Sequence, residues 1–164
     1  YTSTVTVATA VGFAFLLLAA LLVSGDQINP THGLAWATAG FVTTGLAPAF
    51  GLPPELPGMV AGDLAHRQLW WAGTAIATAA GLWLLLRSRQ RVLAALGIAF
   101  LIVPHVIGAP HASSSEVSRV PAELAARFAS VSLGVHAVLW ALVGIFAGYI
   151  WQRQGDPGLA RQPG

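Results

Sequence analysis

The chain has 164 residues, of which 55% are hydrophobic, only 9% are charged and none is cysteine. Soluble domains carry about 25% charged residues, so that class is excluded, and the mean hydropathy of +0.70 agrees. The formal net charge of +2 comes from eight arginines and no lysine, too few and too scattered for a nucleic-acid footprint and better suited to orienting a membrane protein. Without cysteine there are neither disulfides nor thiolate metal sites.

A bilayer core of roughly 30 Å calls for about 20 apolar residues in a helix. Five stretches answer to that in chain order: 4–23, 32–50, 68–86, 92–107 and 128–151. The first closes at Ser24-Gly25-Asp26, the second at Gly51-Leu52-Pro53-Pro54 and the third at Arg87. The fourth is short and carries Pro104, and the fifth is long enough to span with tilt. The fold class expected is therefore an all-α membrane protein, a polytopic bundle of about five transmembrane helices over 1–153. The Gly/Pro-rich tail 154–164 is expected to be disordered. The first residue is Tyr1, not Met, and the abrupt apolar start suggests a processed or incomplete product, with no cleavage site of a signal peptide in view.

Arg87, Arg89, Arg91, Arg153 and Arg161 fall on one side of this topology, and Arg67, Arg119 and Arg127 on the other. The positive-inside rule makes the first side cytoplasmic, together with the C-terminus. The two long loops, 51–67 and 109–127, then face outward. Trp70 and Trp71 are expected at the outer interface, Trp83 and Trp151 at the inner one. Gly73, Ala77 and Gly81 on the third helix, and Gly144 and Gly148 on the fifth, form small-residue stripes along which helices can approach closely. Compositional bias toward Ala and Gly explains any one stripe equally well.

Polar residues are so few that their placement is informative. Glu55, Asp63, His66, His105, His111, Glu116 and Glu123 gather on the outer face. Imidazole with carboxylate suits Co, Ni, Zn or Fe(II), and the lack of thiolate disfavours Cu(I). Asp63 and His66 share a helix face three residues apart. Asp63 after Gly62 reads as an N-cap that Arg67 can pair with, and a ligand role is compatible with the cap. His105 follows Pro104, whose missing N–H leaves the Phe100 carbonyl unpaired. Such a break persists in lipid only where protein or water satisfies it, so His105 and His111 either line a polar entrance or mark a kinked helix end. His136 lies deep in the fifth span, as a mid-membrane relay facing the bundle or as a hydrogen-bond partner of a neighbouring Thr or Ser. His32, near Asp26, Gln27 and Asn29, reads as a loop or cap residue.

The run Gly45-Leu46-Ala47-Pro48-Ala49-Phe50-Gly51-Leu52-Pro53-Pro54-Glu55-Leu56-Pro57-Gly58-Met59 resembles the hallmark of the CbtA family of predicted cobalt-transporter subunits. So do Asp63, Arg67-Gln68-Leu69-Trp70-Trp71, Pro104-His105-Val106-Ile107-Gly108-Ala109-Pro110-His111 and Val120-Pro121-Ala122-Glu123-Leu124, in the family's order. The resemblance implies a bacterial inner-membrane protein of cobalt uptake for cobalamin synthesis, with a small histidine-bearing partner subunit. Family members usually have a further first helix and a histidine-rich outer loop, which this chain lacks.

The sequence thus leads to a non-enzymatic uptake subunit embedded in membrane lipid. Glu55, Asp63, His66, His105 and His111 form its outer metal lining and His136 its relay. No resident cofactor is expected, only a transported cobalt ion. Imidazole ligates when neutral, so affinity should fall as pH drops. No nucleotide-binding loop is present, so energy must come from a partner, a gradient or the membrane potential, and an oligomer or partner is expected. The alternatives are an accessory structural subunit packed against a larger membrane complex and, more remotely, a haem or pigment protein with His105 or His136 as axial ligand.

Overall fold

The computed structural model describes residues 2–60, 62–111 and 120–155. Among these residues the chain is all helical. In order it forms α1 (Thr2–Ser24), α2 (Pro30–Phe41), a π-helical turn (Val42–Leu46), a short α3 (Ala47–Ala49), α4 (Leu64–Arg87), α5 (Arg91–Ile107) and α6 (Ala122–Gly155). The second span thus contains α2, the π turn and α3, so that five helical stretches match the five expected.

Three of them are long and apolar enough to cross a membrane: Thr4–Ser24, Leu64–Arg87 and Ala122–Gln154. A fourth apolar helix, Arg91–Ile107, has 17 residues, roughly 25 Å at 1.5 Å per residue. Large apolar side chains lie outward along these helices, among them Phe15 at 69%, Leu69 at 71% and Ile76 at 71% exposed. In water that pattern would be untenable, and in hydrocarbon it is the expected outer surface.

Helix ends follow local chemistry. Beyond α1, Gly25 takes the left-handed φ of 72° that terminates helices readily. Asn29 caps α2, its Oδ1 accepting from the His32 N–H at 2.9 Å, and Pro30 occupies the first helical position, where a missing N–H costs nothing. The helix therefore begins at Pro30, two residues before the expected 32. Asp63 caps α4, which starts it at Leu64 instead of 68. α6 begins at Ala122 instead of 128 because the helix-forming Ala-Glu-Leu-Ala-Ala-Arg run extends it before the apolar span. At its far end α6 continues to Gly155, and the tail expected to be disordered lies, from 156 on, outside the described residues.

The chain divides into two compact units: unit 1, Tyr1–Phe41 with His136–Gly164, and unit 2, Val42–Val135. In unit 1, Leu17, Leu21, Ala37 and Trp140 make a buried core. Trp140 stacks on Phe13 at 4.5 Å between centroids, and its ring occupies the space that a Cβ on Gly40 would need. The Gly144–Gly148 stripe is a real contact surface: Gly144 meets Gly33 and Ala37, and Gly148 meets Asn29 and Pro30.

In unit 2, α4 packs on α5 and on the π turn with α3. Gly81 meets the backbone of Gly97, so half of the Gly73–Ala77–Gly81 stripe is a helix contact. Gly73 itself faces open space. The π turn precedes Pro48, which cannot donate a backbone hydrogen bond, and widening the helix by one residue is one way to absorb that loss.

Candidate functional site

Unit 2 holds five of the six expected site residues. At the start of α4, Asp63 Oδ1 accepts from the His66 backbone N–H at 2.9 Å and from His66 Nδ1 at 2.7 Å. Cap and ion-binding roles thus coincide in one carboxylate. The backbone hydrogen bond from His66, then the one from its side chain, hold the Asp63 carboxyl below its ordinary value of 3.8. An acid with a lowered pKa contributes its stabilisation above the ordinary carboxylate range and loses it as pH falls through the lowered value. The cap is therefore intact at neutral pH. With Asp63 ionised, Nδ1 of His66 carries the proton and Nε2 presents its lone pair outward, the arrangement of a histidine ligand oriented by a carboxylate.

Arg67 does not pair with Asp63, as the sequence suggested; it donates to Glu55 Oε1 at 2.8 Å. The pair is mostly withdrawn from solvent, with side chains 18% and 23% exposed. The reason is the turn at Leu56-Pro57-Gly58-Met59, where Gly58 takes a φ of 90° and the Met59 N–H returns to the Leu56 carbonyl at 3.1 Å. This turn folds the proline-rich loop back and brings Glu55 to Arg67, leaving Asp63 to His66.

His105 and His111 stand on the rim of a cavity of about 620 Å³, also lined by Phe50, Trp70, Thr78 and Leu101. The π turn contributes Val42 and Leu46 to its wall. His105 lies edge-on to both Phe50, at 6.1 Å, and Trp70, at 6.0 Å. Trp70 was expected at the lipid interface. It turns inward instead, donating its Nε1–H to the Pro104 carbonyl at 3.3 Å, near the end of α5 where carbonyls run out of helical partners. A Cβ at Gly51 would overlap the Trp70 ring, so glycine is required for that ring to seat. Helix α5 closes just beyond, with Gly108 at φ 85°. Trp71, Trp83 and Trp151 remain partly exposed.

His136 belongs to unit 1. Its Nε2 accepts from the Trp140 Nε1–H at 3.1 Å, and its ring lies 5.8 Å from Phe13 and 5.9 Å from Phe41. The partner is thus an indole of its own helix, not a Thr or Ser of a neighbour. His32 pairs with Asn29 at 3.0 Å, as a cap residue should. Asp26 accepts from Trp36 Nε1 at 2.9 Å, a tie that sequence spacing gave no reason to expect.

Among the described residues no three His, Asp or Glu side chains come together as a ready metal site. What unit 2 offers is a dyad, Asp63–His66, an ion pair, Glu55–Arg67, and two rim histidines. Glu116, Arg119 and Arg161 lie outside the described residues. The groups that the sequence reading missed are Thr74 and Thr78, each 1% exposed, whose hydroxyls have no hydrogen-bond partner. Their spacing of four from Trp70 was the available signal.

No curated protein and no solved structure matches the chain. The family profile described as "Probable cobalt transporter subunit (CbtA)" matches residues 1–152, and this membrane protein belongs to the CbtA family.

Proposed function

We propose that the chain is the membrane subunit of a cobalt uptake transporter, gathering Co²⁺ at its outer end and passing it inward. The observation that carries this reading is the Asp63–His66 dyad. It is exposed, it is negatively charged at neutral pH, and it leaves one imidazole lone pair free to meet a cation. His105 and His111 on the cavity rim extend the same donor chemistry into unit 2. Glu55, held by Arg67, adds a carboxylate to the outer lining, and His136 serves as the relay deeper in the membrane. In this reading residues 1–153 are the membrane-embedded part. The protein sits in the bacterial inner membrane with its C-terminus cytoplasmic, by the arginine asymmetry. It works with a small histidine-bearing subunit or as an oligomer, since so few helices supply no energy-coupling machinery of their own.

Asp63→Asn is the most informative test. Asn keeps an oxygen that can accept from the His66 N–H, and it deletes only the charge. Helix stability should change by no more than a few tenths of a kcal/mol. Cobalt accumulation in cells should drop on the order of tenfold at low external metal, the usual cost of losing a ligand's carboxylate partner, and recover partly at high metal. Unchanged uptake in Asp63→Asn, His66→Ala, His105→Ala and His111→Ala alike would refute the transport reading.

A further inference from the structure

The cavity bounded by His105 and His111 has the dimensions of an organic-ligand site. Its volume of about 620 Å³ falls within the roughly 300–1,000 Å³ typical of pockets that enclose small molecules, and a single metal ion needs far less. Its wall is mostly apolar and aromatic, and none of its described lining residues is a carboxylate. The two nearby acids of unit 2 are engaged elsewhere, Asp63 with His66 and Glu55 with Arg67. A bare divalent ion in this cavity would have two imidazoles for ligands and no counter-charge, and a charge without a counter-charge in an apolar surround is expensive. An ion that arrived with its own anionic ligand would meet neither difficulty.

A second, independent observation concerns Thr78. Elsewhere on these helices hydroxyls return to their own backbone: Thr9 to the Val5 carbonyl, Thr38 to Leu34 and Ser130 to Ala126, each at 2.9 Å. Thr78 lines the cavity, is 1% exposed, and makes no such bond. An unsatisfied hydroxyl at this depth is destabilising unless something else accepts from it.

We infer that the unit 2 cavity takes the metal as a small chelate, a divalent cation already bound by an anionic organic ligand with a flat apolar part. The inference rests on the cobalt reading above and specifies the form of the cargo. The flat part of the chelator lies against Trp70 and Phe50. An imidazole of His105 or His111 replaces one metal-bound water, which leaves intact, so no proton changes hands. Thr78 donates its hydroxyl hydrogen to a carboxylate oxygen of the chelator. The chelator's negative charge takes the place of the acidic side chain that the wall lacks.

Calorimetric titration of the purified full-length chain in detergent micelles tests this with two probes: cobalt chloride alone and the neutral one-to-one complex of Co²⁺ with pyridine-2,6-dicarboxylate. The complex should bind at least about tenfold more tightly than the metal alone, a difference of about 1.4 kcal/mol. Thr78→Val should remove most of that advantage without lowering the thermal unfolding temperature, and Thr78→Ser should keep it. Equal or tighter binding of Co²⁺ alone overturns the inference, as does a Thr78→Val variant that binds the complex as the parent does. Cellular uptake by Asp63→Asn separates the two readings. If uptake falls while the complex shows no advantage, only the chelate inference is lost. If uptake is indifferent to the dyad and to the rim histidines, the cobalt reading fails on its own terms.

Discussion

The two compact units solve the same problem, holding apolar helices together, by opposite means. Unit 1 packs large rings against bare backbone: Trp140 over Gly40 and Phe13, and Gly144 against Gly33. Its polar side chains find one another, Trp140 with His136, Trp36 with Asp26 and Asn29 with His32. Unit 2 buries small groups instead, Gly45, Ala47, Pro48, Ala75, Gly81 and Gly97. Among the described residues, both buried hydroxyls without a partner fall in unit 2, Thr74 and Thr78. There too lie the π turn, the in-helix Pro104 and the cavity. Departures from local regularity, retained where regular packing was available, are where a functional demand is most readily found. Unit 1 therefore reads as scaffold and unit 2 as the working part.

Truncating Trp140 is the most direct way to break that contrast. Trp140 is 4% exposed, and it both fills the core of unit 1 and donates to His136. Trp140→Ala should cost about 3–5 kcal/mol, as large-to-small changes at buried aromatic sites do, and leave His136 without its donor. Thermal unfolding in detergent would register it as a large drop in midpoint. A variant that unfolds like the parent would show that unit 1 is not held by this ring, and the scaffold assignment would lose its main support.

Much of the fold was legible because hydropathy and helix signals are local. The 92–107 span and the α5 helix Arg91–Ile107 differ by one residue at the start, and Gly108 ends the helix where a glycine signal predicts. The larger offsets, at 64 and 122, share one cause. Apolarity measures how much helix lies in lipid, whereas caps and helix propensity decide how much helix exists, and α4 and α6 extend past the apolar stretch at their N-termini. The site was legible only in part. Asp63 as cap and His66 as its neighbour follow from spacing alone. That Arg67 chooses Glu55 does not, because it depends on a turn that closes twelve residues of loop. Trp70 lining the cavity, and the burial of Thr74 and Thr78, depend on contacts among α4, α5 and the π turn that no single segment encodes.

The Glu55–Arg67 pair offers a smaller perturbation within unit 2. Both side chains are largely withdrawn from solvent, so removing one leaves the other charge poorly hydrated. Arg67→Gln should destabilise by about 1 kcal/mol, at the upper end of exposed pairs. The double variant Glu55→Gln with Arg67→Gln should recover part of the loss, because no charge is then stranded. Chemical denaturation of the three variants measures the coupling. Purely additive losses would mean that the pair is incidental to the loop and that Glu55 is free to serve the metal lining directly.

Thr74→Val is expected to have the smallest effect, and it bears most closely on what Thr78 is for. The two residues are one helical turn apart, equally buried, and equally without a hydrogen-bond partner. They differ in that Thr78 lines the cavity and Thr74 is not among its lining residues. Valine has nearly the shape of threonine, so either substitution preserves packing and removes an unsatisfied hydroxyl, which should be neutral or stabilising by up to about 1 kcal/mol. On stability alone, then, the two variants should behave alike. In binding they should part: Thr74→Val should take up the cobalt–pyridine-dicarboxylate complex as the parent does, and Thr78→Val should not. If both variants lose the complex, the hydroxyl row acts as one polar feature of α4 and not as a single contact at the cavity. If Thr74→Val is clearly destabilised, its hydroxyl has a partner in the folded protein, and the contrast drawn between the units on unsatisfied groups fails at that position.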